Sequence, residues 1–282
     1  MEDGLSLVMR DIFNKDVPQS ERVYRTTMEI LSLLSSSQTK ATFFTLGIVA
    51  EKYPQLIKEI TDEGHELAVH GHNHYRFFQM NKKNAYLEIK RAKDTLEQVS
   101  GVAMKGHRAP AFSISKHTPW AFEVLAKLGF IYDSSIMPRK SKYNGWSEFP
   151  TDITEVKTPY GLLTEFPITT ISFGSMKLPF SGGGYLRLLP LWFLRRALRK
   201  IITQKPAVLY VHPYEFDREP YPSYYFNEMK KLPLKTRIKL RTNFWNRKKS
   251  AKKMTQLLEQ FSFDRMDRVI SQASNKEKIF TP

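Results

Sequence analysis

Three histidines stand within five residues, His70, His72 and His74, in the segment VHGHNH. Neutral imidazole is a good ligand for zinc and similar ions, and His70 and His74 are spaced to reach one ion. A bare His-x-x-x-His is more often a polar turn with satisfied histidines. Here the segment follows a short strand pattern at 66–70 (ELAVH) and contains Gly71, which puts it on a strand-end loop. Three more short pieces sit at expected strand ends. They are Gly106-His107-Arg108-Ala109-Pro110, then Tyr132-Asp133-Ser134-Ser135, then the apolar run Leu209-Tyr210-Val211 ending in His212-Pro213-Tyr214-Glu215. Singly each is weak: Arg108 fits a surface ion pair and His212 a capped core histidine.

The elements that must position these residues alternate. Residues 20–37 carry apolar side chains at Val23, Ile30, Leu31, Leu33 and Leu34, the spacing of a helix. ATFFTL at 41–46 reads as a buried strand. Residues 51–63 return to helical spacing through Leu56, Ile57 and Ile60. Residues 84–100 are helical with Ile89, Leu96 and Val99 inward, and Thr118-Pro119 opens a further helix. Strands are expected near 130–132, 162–166 and 207–212. Strands separated by helices argue for a parallel sheet, open or closed into a barrel, with chemistry at the strands' carboxyl ends.

Composition sets the outer limits. The chain has 282 residues, 41% of them apolar and 13% aromatic, which excludes a mainly disordered protein. It has no Cys, so disulfide scaffolds, Cys-ligated zinc, iron–sulfur clusters and Cys nucleophiles are all excluded. No apolar run is long enough to span a membrane as a helix, and residues 1–15 lack the features of a signal peptide. The expectation is a cytoplasmic protein, with peripheral attachment to a membrane as a further possibility to test. Lys and Arg total 44 against 28 Asp and Glu, for a net charge of +16. Residues 230–253 hold eleven basic side chains and no acidic one. This stretch and a helix over 187–200 are expected to form a positive surface favouring an anionic polymer or membrane. Leu191, Trp192, Phe193, Leu194, Leu198 and Ile201 would supply the apolar face, unless they pack on the body of the protein. No recognition motif supports specific nucleic-acid binding.

The order of the motifs is more telling than any one of them. ATFF, HGHNH, RAP, YDSS and a strand ending in His resemble the NodB-homology polysaccharide deacetylases, carbohydrate esterase family four. The subgroup with a C-terminal extension, which acts on exopolysaccharide-type substrates, is the nearer resemblance. It is carried by Ser181-Gly182-Gly183-Gly184-Tyr185-Leu186-Arg187-Leu188-Leu189-Pro190 and by the HPYE at 212–215. The resemblance implies an α/β fold, a distorted (β/α) barrel with a divalent metal, zinc by expectation, at its mouth. It implies a deacetylase domain over 1–219, with 220–282 a basic extension packed on it. His70 and His74 would be the imidazole ligands, and a carboxylate from Glu2 or Asp3 the third. His212 would be the general acid, and Arg108 would orient the general base. His72, Pro110, Gly183, Gly184, Tyr185 and Tyr214 would contact an N-acetylated glycan. Ala111 departs from the Tyr common in the family. His65, His107 and His117 are expected to have no catalytic role.

Such a set suits amide hydrolysis. A metal polarises the carbonyl and lowers the pKa of water, a carboxylate takes the water's proton, and a histidine protonates the departing amine. Two alignments compete at Met1-Glu2-Asp3-Gly4. Glu2 is the base and Asp3 the ligand, or Glu2 is the ligand and a base Asp stands upstream. The second carries the expectation that Met1 is internal to a longer protein whose first barrel strand precedes it. Two other functions fit parts of the pattern: hydrolysis of a small cyclic amide, as in allantoinase-like proteins, and glycan binding by a catalytically impaired relative.

Overall fold

Residues 4–19, too polar and too proline-broken for a central strand, are largely helical. In the computed structural model, which describes residues 1–141, 144–174, 176–273 and 279–282, α1 (Gly4–Phe13) is capped by the Asp3 carboxylate. The amphipathic stretch that follows forms α2 (Glu21–Ser36), with Val23, Ile30, Leu31 and Leu34 inward. β1 (Thr42–Thr45) comes next. The single helix expected at 51–63 is two, α3 (Gly47–Lys52) and α4 (Pro54–Asp62). Pro54 lacks the N–H needed to continue the first and instead opens the second. β2 (Glu66–Val69), α5 (Lys82–Ser100), β3 (Gly106–His107), α6 (Trp120–Lys127) and β4 (Tyr132–Asp133) follow in strict alternation.

Beyond β4 the order changes. β5 (Thr154–Thr158) and β6 (Gly161–Glu165) form an antiparallel hairpin, as do β7 (Thr170–Phe173) and β8 (Met176–Pro179). The helix expected over 187–200 is split into α7 (Gly183–Leu188) and α8 (Leu191–Ile202) around Pro190. The remainder is α9 (Ser223–Lys230), α10 (Leu234–Thr242), α11 (Arg247–Leu258), α12 (Met266–Gln272) and β9 (Ile279–Phe280).

The main sheet has the order β1-β2-β3-β4-β6-β5-β9, parallel from β1 through β6. Its register places Thr45, Val69, His107, Asp133 and Glu165 in one row across five strands. The residues after that row therefore leave the sheet at one edge, which is where the site lies. Among the described residues no strand precedes β1, and β1 pairs only with β2. The strand expected at 207–212 is absent: this run is held by a single bridge between Tyr210 and Gly182. It lines, together with Thr42, Phe43 and Phe44, a cavity of about 360 Å³.

The apolar faces of α2 to α6 meet the sheet in one core around Leu31, Val49, Ile57, Val69, Phe122 and Leu163. The described residues of 220–282 add to the same body. Met254, Leu257 and Leu258 join that core, and Tyr221, Tyr225 and Met229 pack with Leu5 and Met9 of α1. On α8, Leu194, Leu198 and Ile201 are buried. These apolar side chains thus pack on the protein body and are not available to an external surface. Among the described residues no helix is long and apolar enough to cross a membrane.

Candidate metal centre

His70 follows Val69 and Arg108 follows His107, so both enter the site from neighbouring positions of the register row. The loop after β2 turns sharply, with Gly71 at φ 80° and His74 at φ 63°. The left-handed conformation is free for Gly but costs His74 free energy, so its surroundings must hold it there. Glu88 of α5 supplies part of that restraint. Its carboxylate accepts the His72 N–H at 3.1 Å, the Asn73 N–H at 2.6 Å and the Asn73 side-chain amide at 3.3 Å.

Glu2 Oε2 lies 3.0 Å from His74 Nε2 and 3.6 Å from His70 Nε2. Glu2 Oε1 faces His212 Nε2 at 3.9 Å. Glu2, His70 and His74 are all buried, and among the described residues they are the group whose ligand atoms converge closely enough for one ion. His70 Nδ1 donates to the Arg108 carbonyl at 2.7 Å, which leaves the Nε2 lone pair turned toward Glu2. Burial drives the His70 pKa down to about 3, so its imidazole is neutral, the form that ligates. Burial disfavours the charge on Glu2. His74 nevertheless holds its carboxyl well below the ordinary value, with His212 adding to it. Two imidazole nitrogens and one carboxylate oxygen fit a divalent ion and leave positions open beside it.

Asp3 stands apart from this cluster. One of its oxygens accepts the Leu5 N–H at 3.0 Å and the other accepts the Ser20 N–H, so its carboxylate caps α1 and ties it to the start of α2. Expected as a metal ligand, it is committed to backbone donors. Arg108 lines the same cavity as the cluster. Its guanidinium donates to the Ser134 carbonyl at 2.9 Å and hydroxyl at 2.8 Å, and lies 4.1 Å from the Phe44 ring centroid. Burial lowers its pKa to about 10, which leaves it charged at neutral pH.

His212 is held from two sides. Tyr214 stacks on its ring at 4.9 Å, and Glu215 Oε2 accepts the His212 N–H at 2.9 Å and lies 3.4 Å from Nδ1. Burial pulls the His212 pKa down, but the Glu215 and Glu2 carboxylates outweigh it and the net shift is upward. Glu215 is buried and also meets Arg187 Nε at 3.4 Å.

The remaining expected substrate contacts are placed differently. His72 is buried, with Nε2 3.5 Å from Glu51 Oε1 on α3, and does not line the cavity of the cluster. Pro110, Gly183, Gly184 and Tyr185 do not line it either. Gly183 has a packing reason instead: a methyl group there would overlap the Glu215 carboxylate. Tyr214 borders a second opening, beside Glu2 and His74. Sequence reasoning missed Glu88, Glu215 and Phe112 as parts of the site. Phe112 follows Ala111, both at φ 52°, and its ring meets Tyr210 at 5.0 Å on the cavity wall. Only Glu215 had a signal, three residues after His212.

Residues 16–132 match a family profile described as polysaccharide deacetylase, and residues 134–271 match one described as a domain of unknown function, DUF3473. A Bacillus subtilis protein named as a polysaccharide deacetylase, YheN, is 29% identical over 163 residues, covering 54% of this chain and 57% of its own length. A Bacillus cereus peptidoglycan-N-acetylglucosamine deacetylase is 35% identical over 98 residues, 34% of this chain and 36% of its own length. The chain thus spans 57% and 36% of these relatives. A solved Mycobacterium smegmatis structure, named for the same activity, shares the fold with a TM-score of 0.61 at 21% identity, over 94% of this chain and 83% of that one. The first profile covers β1 to β3 and with them His70 and His74, and runs on through Arg108 to the first residue of β4. By that match, residues 16–132 form a domain of the polysaccharide deacetylase family, and the chain continues into a second domain family of undescribed function.

Proposed function

We propose that the protein removes N-acetyl groups from a polysaccharide or its precursor by metal-assisted hydrolysis. The observation that carries this reading is the convergence of Glu2, His70 and His74 in one cavity, with His212 across the Glu2 carboxylate. A divalent ion held by these three residues, zinc by expectation, would polarise the amide carbonyl and acidify water. The water oxygen forms a bond to the carbonyl carbon, and its proton passes to a base that is not one of the three ligands. The C–N bond breaks as His212 protonates the departing nitrogen, and acetate and a free amine leave. Glu215 and Tyr214 fix the His212 ring, and the Glu215 and Glu2 carboxylates favour its protonated form. Arg108 supplies a positive charge to the same cavity. The relatives' names, for polysaccharide and peptidoglycan deacetylation, support the glycan class.

The test is metal analysis of the purified protein, followed by acetate release from a panel of N-acetylated sugars with a cyclic amide alongside. About one divalent ion per chain is expected, together with acetate release that is lost in the His70→Ala/His74→Ala variant. Stoichiometric metal in that double variant would overturn the site.

A second reading is glycan binding with little turnover. It is favoured by the engagement of the nearby carboxylates: Glu2 faces both imidazoles, Asp3 is held by backbone N–H groups, and Arg108 forms no ion pair among the described residues. Binding of the N-acetylated sugar to metal-loaded protein without acetate release would select it.

A further inference from the structure

Two of the four tryptophans are more than half exposed: Trp192 at 67% and Trp245 at 58%. A large apolar ring left in water is the less usual outcome, and Trp146 by contrast is buried. The two rings belong to one region. The Arg187 guanidinium, at the end of α7, donates to the carbonyls of Thr242 and Trp245. The Lys253 ammonium donates to the carbonyls of Leu186, Arg187 and Leu189. These bonds join the α7–α8 junction, where Leu188 is 49% exposed, to the α10–α11 junction.

Each helix continues the pattern along its outer face. On α8 the exposed positions are Trp192, Arg196, Arg199, Lys200 and Ile202, spaced by four, three, one and two. On α10, Leu234 and Ile238 are exposed at 67% and 52%, one turn apart, and Trp245 follows in the next turns. Lys235, Lys239 and Arg241 surround them, all exposed. Residues 181–205 hold six basic side chains and no acidic one, and residues 230–253 hold eleven and none. Protruding Trp, Leu and Ile among Lys and Arg is the composition of a face that rests in a lipid headgroup layer. A reader of soluble polyanions needs the charge but not the apolar side chains.

We propose that the outer faces of α8 and α10, with the α7–α8 and α10–α11 junctions, form a docking surface for an anionic lipid bilayer. Trp192, Trp245, Leu234 and Ile238 enter the interface, and the surrounding Lys and Arg face the acidic headgroups. The apolar residues on the buried side of α8 take no part, because they already pack on the core.

The experiment is co-sedimentation of the full chain with vesicles of phosphatidylcholine alone or with one-third phosphatidylglycerol. Trp emission is read in parallel with brominated lipid. Binding is expected with phosphatidylglycerol and not without it, weakening as salt rises. Reversing Lys235 and Lys239 to Glu should weaken it by roughly fivefold per residue or more. Brominated lipid should quench the emission, and Trp192→Ser/Trp245→Ser should abolish the quenching and weaken binding several-fold while melting as the parent does. Absence of binding to the anionic vesicles overturns the proposal. So does unchanged quenching in the double variant. Binding that heparin removes fully, with no quenching on vesicles, would make the face a polyanion site. None of these readouts uses turnover, so their failure leaves the deacetylase reading untouched.

Discussion

Gly183 lies in a segment that reads as a glycan contact, and the structure gives it a different task. A methyl group there would overlap the Glu215 carboxylate, which is buried and engaged with the His212 N–H at 2.9 Å and Arg187 at 3.4 Å. Gly183→Ala must therefore move Glu215, leaving a buried N–H and a buried guanidinium short of their acceptor. An orphaned buried polar group costs about 1–3 kcal/mol, and a broken buried ion pair about 3–5. The expected loss is on the order of 4 kcal/mol, a fall of about 10 °C in melting temperature for a chain of this size. Because Glu215 also orients His212, turnover should fall by more than about tenfold, with KM little changed. Gly184→Ala is the internal control. Its methyl would meet only Arg187 Nη2 at an ordinary 3.8 Å, and inside α7 the change should be neutral or stabilise by up to about 1 kcal/mol. Thermal melting and acetate-release kinetics of both variants decide the matter. A Gly183→Ala protein as stable as the parent, with a raised KM as its sole defect, would refute the packing account and restore the glycan contact.

Three further outcomes follow from the site and its surroundings. His212→Ala should lower turnover by ~10²–10⁴-fold with little change in KM, as for a general acid. A changed KM at constant turnover would make His212 a binding residue. Glu88→Gln should weaken metal affinity by about 10–100-fold, since the carboxylate restrains the loop bearing His74. Calorimetric titration with zinc checks this, and parent-like affinity would remove Glu88 from the site. Burial, with Lys40 and Arg265 adding to it, takes His65 from 6.5 down to about 4, where it accepts the Ala41 N–H at 3.1 Å as a neutral ring. The unfolded chain then binds the extra proton first, so His65 costs stability as pH falls from 6.5 toward 4. At about 1.4 kcal/mol per pKa unit the loss approaches about 3 kcal/mol. Urea unfolding across that range should show a shallower acid loss in His65→Gln, and identical pH slopes would count against it.

The parts of this protein that could be read from its sequence are those set by short-range pattern. Val23, Ile30, Leu31 and Leu34 mark α2, and the apolar runs mark β1, β2 and β6, because burial on one face repeats with the period of the element. His70 and His74 were legible as a pair for the same reason: a strand ends just before them. The choice between Glu2 and Asp3 was not, since both are carboxylates on adjacent residues. It was made when the Leu5 and Ser20 N–H groups captured Asp3, and Ser20, at the start of α2, is brought to it only by the fold of the intervening chain. Glu88 and Glu215 carry no mark of their duties, because their partners are assembled from other elements of the fold. The 207–212 run has the composition of a strand yet finds only one bridge, since pairing requires a neighbour at the right distance and not merely a suitable side-chain pattern. On α8, spacing alone left Trp192 and Leu198 equal candidates for the surface. The body of the protein took Leu198 and left Trp192 in water, a division that depends on which face of the helix the sheet and its neighbours have room to cover.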